Sequence, residues 1–184
     1  MLFRSQMRSE IRELQKEAAI TSVFVTHDQE EAMAIADRIG VMNQGRLEQL
    51  GSAEDLYQRP ASRFVATFIG KCNLLEGHVA AEGRFELQNG QACGFATAPA
   101  GELRAMCFRP EHARLEHSSP TSGNALKATV RTVTYLGAQT EYELRTAADE
   151  RLLVSVASDA ARHAVQVGDE RYVCWDPAQC VLVA

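Results

Sequence analysis

Hydrophobic residues at helical spacing open the chain. Between Gln6 and Ala18 the apolar side chains of Met7, Ile11 and Leu14 recur every three or four positions. This spacing places them on one face of a helix, with charged and polar residues around the rest of it. The segment therefore predicts an amphipathic helix.

A short and continuous apolar run follows. Ile20 and Val23 to Val25 form a run that is too short for a helix and too uninterrupted for a half-exposed strand. The run predicts a parallel strand over Ser22 to Thr26 that is buried on both faces and pairs with a neighbour on each side. His27 would then lie at the carboxyl end of this strand, at the edge where open α/β sheets bind ligands.

The residues after His27 predict the start of a helix. Asp28 is a candidate N-cap, and Glu30 and Glu31 follow in the first turn, where the helix dipole favours carboxylates. A neutral imidazole at such a position can donate one ring N–H to a phosphoryl oxygen and accept at its other nitrogen. From these residues alone, His27 is either a phosphate-binding group or a histidine that only satisfies a strand end.

The hydrophobic pattern changes near Gly70. Before it, a turn at Asn43 to Gly45 predicts a hairpin, and Ala53 to Tyr57 and Ser62 to Ile69 predict helices. After it the chain contains β-rich runs separated by glycine turns, namely Leu103 to Phe108, Val130 to Tyr135, Thr140 to Arg145, Arg151 to Val156 and Arg171 to Trp175. Within the run Thr140 to Arg145, every second residue is charged, which predicts one strand face toward a core and one toward water. The second region is therefore predicted to be a small all-β barrel or sandwich.

Composition narrows the class of protein. The 184 residues are 46% hydrophobic and 23% charged, with a net charge of -5, so a nucleic acid partner is not expected. There is no uninterrupted apolar stretch of about 18 residues, so we expect a cytoplasmic protein without a membrane span. The five cysteines are scattered and lack a Cys-x-x-Cys pair, so we expect reduced core thiols and no metal site.

Two segments of the first region resemble a known family. Val25-Thr-His-Asp-Gln-Glu-Glu-Ala and Ala36-Asp-Arg-Ile-Gly-Val-Met-Asn-Gln-Gly-Arg are similar to the switch-histidine region of the ATP-binding subunits of ABC importers. The similar branch handles maltose, polyamines, ferric iron, sulfate and phosphonates. In the second region, Asn73-Leu-Leu-Glu-Gly-His-Val and Cys107-Phe-Arg-Pro-Glu-His resemble the TOBE-type, OB-like accessory domain of the same subunits.

This resemblance implies a fold class and a site. Residues 1–70 would be the C-terminal portion of an α/β nucleotide-binding domain, and residues 71–184 an all-β, OB-like TOBE domain. His27 would be the catalytic and cofactor-binding residue, in contact with the γ-phosphate of ATP, which is used with Mg²⁺ in the intact subunit. Asp28 and Gln29 would orient the helix, whereas Glu31 would solvate it.

The resemblance also implies partners. These are the transporter membrane subunits and a second copy of the ATPase subunit, at the inner face of the cell membrane. The sequence holds no Gly-x-x-x-x-Gly-Lys-Ser/Thr loop, no Leu-Ser-Gly-Gly signature and no apolar strand ending in Asp-Glu. We therefore expect this chain alone to be inactive and to resemble the C-terminal part of such a subunit. We also expect a homodimer in which the N-terminal helix and strand pack across chains.

Two other functions stay open from the residues. The chain could be a dimerisation element or a regulatory module that binds a small oxyanion, for which Thr132, Thr134, Tyr135 and Gln139 offer hydroxyl and amide donors. Arg109-Pro110-Glu111 could be a ligand-binding charge pair, but Pro110 cannot donate to a strand ladder, so the end of a strand is the simpler interpretation.

Overall fold

The structure of the protein is a computed structural model, and it describes residues 2–96, 102–158 and 165–184. Contacts between residues divide the chain into two compact units, Met1–Gly70 and Lys71–Ala184, which we call unit 1 and unit 2. Within the described ranges, the helices and the hairpin lie in unit 1 and the longer sheets in unit 2. Each unit is described separately below.

Unit 1 consists of helices around one antiparallel hairpin. Its elements are α1 (Leu2–Ala18), α2 (Gln29–Ile35), β1 (Ile39–Asn43), β2 (Arg46–Gly51), α3 (Ala53–Gln58) and α4 (Arg63–Phe68). Gln44 and Gly45 connect β1 to β2 with positive φ angles of 47° and 79°, the conformation that a two-residue hairpin turn of type I′ requires. The predicted hairpin, the two predicted helices after it and the N-terminal helix are confirmed.

The core of unit 1 is small. Ile39 and Val41 point from β1 toward Leu56 of α3 and toward Val65 and Ile69 at α4. Both helices begin at a serine N-cap, which fixes where each helix starts and therefore which side chains reach this core, Ser52 for α3 and Ser62 for α4.

The predicted parallel strand over Ser22 to Thr26 is wrong. These residues have no regular secondary structure, and Val23 and Val25 are 91% and 90% exposed. A parallel strand exists only where neighbours supply its hydrogen bonds, and within the described part of the chain no strand pairs with this segment. Without a ladder and without apolar cover, the segment remains an extended loop, so His27 does not lie at the end of a strand. The sheet of unit 1 among the described residues is the antiparallel β1–β2 pair, so the α/β arrangement expected of residues 1–70 is not seen there.

Unit 2 is all-β, as predicted. Its strands are β3 (Asn73–Ala81), β4 (Arg84–Leu87), β5 (Ala92–Gly94), β6 (Ala105–Phe108), β7 (Ala113–Glu116), β8 (Asn124–Tyr135), β9 (Gln139–Thr146), β10 (Arg151–Ala157), β11 (Glu170–Trp175) and β12 (Cys180–Val183). Among the described residues they form two five-stranded antiparallel sheets, ordered β10-β9-β8-β11-β7 and β12-β6-β3-β4-β5. We call them the first and second sheet. Of the strands in the described residues, β3, β4, β5, β7 and β12 were not among the predicted runs.

The inner faces of the two sheets share one hydrophobic core. Along β9 the side chains of Thr140, Tyr142 and Leu144 are buried and those between them are half-buried, so the predicted alternation is confirmed. Phe108 of the second sheet stacks on Trp175 of the first sheet, with ring centroids 4.2 Å apart. This stack joins the sheets at the centre of unit 2.

Two buried asparagines satisfy backbone groups on the edge strands of the two sheets. Asn73 of β3 donates its Nδ2–H to the Leu153 carbonyl oxygen at 2.8 Å and accepts from the Leu153 N–H at 2.6 Å. Asn124 of β8 makes the same pair of bonds to the backbone of Gly94, at 2.8 and 2.6 Å. Because Leu153 lies on edge strand β10 and Gly94 on edge strand β5, each asparagine replaces a missing strand partner and ties one sheet to the other.

Candidate functional site

The loop that carries His27 is held by hydrogen bonds at the start of α2. Asp28 is the N-cap, and its Oδ1 accepts from the Glu31 N–H at 3.1 Å. Glu30 and Glu31 lie in the first turn of α2, where the positive end of the helix dipole stabilises carboxylates. The predicted cap and helix are confirmed.

Thr26 closes this loop from the other side. Its Oγ1 donates to Glu31 Oε2 at 2.7 Å and accepts from the Asp28 N–H at 3.0 Å. Glu31 is therefore engaged with Thr26, a role that the sequence analysis missed because it depends on the turn between them. The residues on both sides of His27 are fixed to α2.

His27 itself is exposed between these two anchored residues. Its imidazole makes no hydrogen bond to any residue that the structure describes. Both ring nitrogens are thus available to a ligand, one as donor and one as acceptor in the neutral form. The backbone around it is fixed, so a bound phosphoryl group would meet an imidazole on a short and well-defined loop.

The first residue of α2 is attached to the end of unit 1. The side-chain oxygen of Gln29 accepts from the Gly70 N–H at 3.2 Å. Gln29 therefore positions α2 by a hydrogen bond to a backbone group 41 residues away in the chain, and not by a bond within the helix.

The other end of α2 is attached to α1. The guanidinium of Arg12 donates to the Ile35 carbonyl oxygen and lies 3.2 Å from the carboxylate of Asp37. A cation at a helix C-terminus is favoured by the helix dipole. Sequence reasoning missed Arg12, because only the packing of α1 on α2 reveals its partner.

A second candidate site is a pocket of about 290 Å³ on unit 2. Its lining side chains are mainly polar: Lys71, Thr132, Thr134, Glu141, Glu143, Arg151 and Leu153. The structure brings together two of the four predicted oxyanion donors, Thr132 and Thr134. Tyr135 and Gln139 do not line the pocket, and the Gln139 side-chain oxygen instead accepts from the Ser155 hydroxyl at 3.2 Å.

Both cations of this pocket are engaged with carboxylates. Lys71 Nζ lies 2.6 and 2.8 Å from the two Glu141 oxygens, and Arg151 donates to Glu143 Oε2 at 2.8 Å. The hydrogen bond from Arg151 lowers the pKa of Glu143 below its usual range, so this carboxylate is ionised at neutral pH. Two positive and two negative groups therefore line the pocket, and the carboxylates oppose binding of an oxyanion.

Arg109 has a structural role, as the sequence analysis favoured. It is 3% exposed, and its Nη1 donates to the Lys71 carbonyl oxygen at 3.0 Å. Pro110 begins a short 3₁₀ helix, Pro110–His112, after β6 has ended at Phe108. The segment ends a strand and does not present a free charge pair.

The described residues contain neither a cluster of metal ligands nor a helix that could span a membrane. Across residues 2–96, 102–158 and 165–184, no three His, Cys, Asp or Glu side chains are placed together to hold a metal ion. Over the same described ranges, every helix is too short or too polar to cross a membrane.

Similarity to known proteins supports the fold of unit 2. The family model of the TOBE domain matches residues 106–183. A solved structure of the cytoplasmic molybdate-binding protein ModG, with molybdate bound, superposes with a TM-score of 0.52 at 13% sequence identity. The match covers 68% of this chain and 99% of ModG, and at this identity it shows a shared OB-like fold only. The all-β, OB-like prediction is therefore confirmed.

Similarity in sequence extends over nearly the whole chain. The spermidine/putrescine import ATP-binding protein PotA of Rubrobacter xylanophilus is 39% identical over 98% of this chain. The PotA protein of Pseudomonas aeruginosa strain UCBPP-PA14 is 41% identical over 94%, and the ABC transporter ATP-binding protein YdcT of Escherichia coli K12 is 38% identical over 98%.

The matches cover 49%, 50% and 46% of these three relatives, so the chain spans about half the length of the relatives that it matches. The chain therefore contains a match to the TOBE domain and is similar, along nearly its whole own length, to about half the length of ATP-binding subunits of ABC importers.

Proposed function

We propose that this chain is the C-terminal part of the ATP-hydrolysing subunit of an ABC importer, which couples ATP binding and hydrolysis to solute uptake. The observation that carries the proposal is the sequence identity of 38–41% to such subunits along 94–98% of the chain. In this proposal residues 1–70 are the C-terminal portion of the nucleotide-binding domain and residues 71–184 are the TOBE domain. The subunit works at the inner face of the cell membrane, paired with a second copy and with membrane subunits.

His27 is the residue of this chain that we assign to the nucleotide. Its exposed imidazole lies between Thr26 and Asp28, whose contacts to α2 fix the loop. When bound in the intact subunit, ATP and Mg²⁺ would supply the phosphoryl group and would partly neutralise its charge. The imidazole of His27 would donate a hydrogen bond toward the γ-phosphate, whose oxygens carry negative charge during the transfer.

The chain by itself offers one imidazole and not a complete ATP site. The sequence lacks a glycine-rich loop with its lysine, which would hold the β- and γ-phosphates. One charge-assisted hydrogen bond contributes roughly 1.5 to 3 kcal/mol, far less than such a loop. Calorimetry with Mg-ATP should therefore detect no micromolar binding to the 184-residue chain.

The test of His27 uses a full-length subunit that carries this sequence. Replacing His27 with alanine should lower ATP turnover by on the order of 10²- to 10³-fold, the range for removal of one preorganised donor, while nucleotide affinity changes far less. His78→Ala, an exposed histidine of β3 in unit 2, is the matched control and should leave turnover unchanged. Turnover of the His27 variant within twofold of the parent would contradict the assignment.

A regulatory oxyanion site on unit 2 is the alternative. The pocket beside Thr132 and Thr134 gives it little support, because Glu141 and Glu143 engage its two cations. Equilibrium dialysis of the chain against sulfate, phosphate, phosphonate and molybdate distinguishes the two functions, since only the alternative expects retention of one of these anions.

A further inference from the structure

The hydrogen bonds on either side of His27 form a closed circuit. The Asp28 N–H donates to Thr26 Oγ1 at 3.0 Å, this hydroxyl donates to Glu31 Oε2 at 2.7 Å, and the Glu31 N–H donates to Asp28 Oδ1 at 3.1 Å. Each of the three residues is therefore bonded to the other two. All donors and acceptors lie within Thr26 to Glu31, and the exposed imidazole of His27 stays outside the circuit.

The direction of each bond is determined by the chemistry of the groups. An amide N–H can only donate, so Thr26 Oγ1 is the acceptor for the Asp28 N–H. A hydroxyl has one proton, and the proton of Thr26 is then available to Glu31. A separation of 2.7 Å is typical of a hydroxyl bonded to a carboxylate, which is the stronger class of hydrogen bond. Glu31 thus fixes the rotation of the Thr26 hydroxyl and keeps a lone pair directed at the Asp28 N–H.

Helix α3 shows what the third residue of a helix does in a capping box. Its Asp55 returns to the N-cap and accepts from the N–H and the hydroxyl of Ser52, at 3.4 and 2.8 Å. Glu31 is the third residue of α2, but its carboxylate reaches past the N-cap to Thr26. The N–H of the Asp28 N-cap is satisfied by Thr26 instead. The carboxylate of α2 is therefore used to hold the loop before the helix.

We propose that Thr26 and Glu31 are positioning residues for His27, an inference that rests on the proposed function of this histidine. Neither residue touches the nucleotide. They attach the backbone before the imidazole to the first turn of α2, and so set where the imidazole meets the γ-phosphate. The position matters because a displacement of about 1 Å can lower a rate on the order of 10²-fold.

The first experiment uses the 184-residue chain and does not depend on ATP. Amide hydrogen exchange of Asp28, followed by NMR, should become roughly 2- to 10-fold faster in Thr26→Val, the factor that corresponds to one hydrogen bond. Thr26→Ser keeps the hydroxyl and should exchange like the parent. Thr67→Val is the matched control, because it removes a hydroxyl that donates to the Arg63 carbonyl oxygen in α4. Unchanged exchange of Asp28 in Thr26→Val would show that the circuit does not hold the loop.

The second experiment measures ATP turnover by a full-length subunit that carries this sequence. Thr26→Val and Glu31→Ala should each lower kcat by about tenfold, less than loss of the imidazole itself, while KM for ATP changes little. Glu31→Gln retains an acceptor oxygen and should keep most of the turnover. Glu54→Ala is the control, because it removes an exposed carboxylate from the first turn of α3, and it should leave kcat unchanged.

A His27→Ala background separates a positioning role from a merely structural one. Because Thr26 acts through the imidazole, adding Thr26→Val to His27→Ala should lower kcat no further. A further tenfold loss in the double variant, or parental turnover of Thr26→Val alone, would overturn the inference and leave the proposed function intact. Parental turnover of His27→Ala would instead refute the proposed function of His27, and the positioning role with it.

Discussion

Replacement of Asn73 should destabilise unit 2 strongly, although the side chain is small and polar. Asn73 is 1% exposed, and its two hydrogen bonds satisfy both backbone groups of Leu153 on edge strand β10. In Asn73→Ala these two groups lose their partners. A buried polar group without a partner costs about 1 to 3 kcal/mol. Leu153 is half-buried, so water replaces part of the loss, and we expect about 2 to 4 kcal/mol in total.

Urea unfolding followed by the fluorescence of Trp175 measures this change. Trp175 is the only tryptophan in the sequence, it is fully buried and it stacks on Phe108, so the signal reports on unit 2. With a denaturant slope of about 1 to 3 kcal/mol per molar urea, the midpoint should fall by roughly 1 to 2 M. Gln166→Ala, which removes an exposed amide before β11, is the control and should stay within about 0.5 kcal/mol of the parent.

A charge-changing variant tests the geometry directly. In Asn73→Asp the ionised carboxylate still accepts from the Leu153 N–H but faces the Leu153 carbonyl oxygen without a proton to donate. When the new carboxyl group is protonated, its O–H can donate to the Leu153 carbonyl oxygen again. The stability of Asn73→Asp relative to the parent should therefore rise as the pH is lowered, whereas that of Asn73→Ala should not. If Asn73→Ala unfolds within about 0.5 kcal/mol of the parent, the two bonds do not hold the sheets together and the reasoning fails.

Three further predictions concern packing, pH and assembly. Gly77→Ala should cost about 1 to 3 kcal/mol by urea unfolding, because a Cβ there would lie 2.2 Å from the Glu86 carbonyl oxygen; an unchanged midpoint would contradict this contact. Hydrogen bonds from Ser52 and Arg59 lower the pKa of Asp55 in the folded chain. The stability that the ionised Asp55 gives to α3 is therefore present above about pH 4 and is lost as the pH falls through the lowered pKa. In Asp55→Asn, the helical signal in circular dichroism should not show this loss at low pH. Deletion of residues 1–36 should shift light scattering from dimer to monomer, and a monomeric parent would refute the proposed homodimer.

The features that the sequence predicted correctly have local causes. The β1–β2 turn needs only Gln44 and Gly45 in the left-handed region, and α2 needs only Asp28 as its cap. The alternation along β9 follows from the two-residue period of a strand. In each case the residues that decide the structure are adjacent in the sequence, so the pattern is visible without the fold.

The features that the sequence analysis missed depend on distant partners. β4 and β5 are short strands whose stability comes from pairing with each other and with β3. The roles of Asn73 and Asn124 depend on backbone groups 80 and 30 residues away. The charge balance of the pocket likewise depends on Lys71 meeting Glu141 across 70 residues. Nothing in the local pattern identifies such partners.

The segment before His27 shows why a correct local pattern can give a wrong element. Val23 to Val25 have the composition of a buried strand, but strand formation needs a hydrogen-bonding neighbour, and none pairs with them among the residues described. The position of His27 is therefore determined by Thr26 and Asp28, which hold the loop on α2. It follows that the candidate site depends on the cap of α2 and not on a sheet edge.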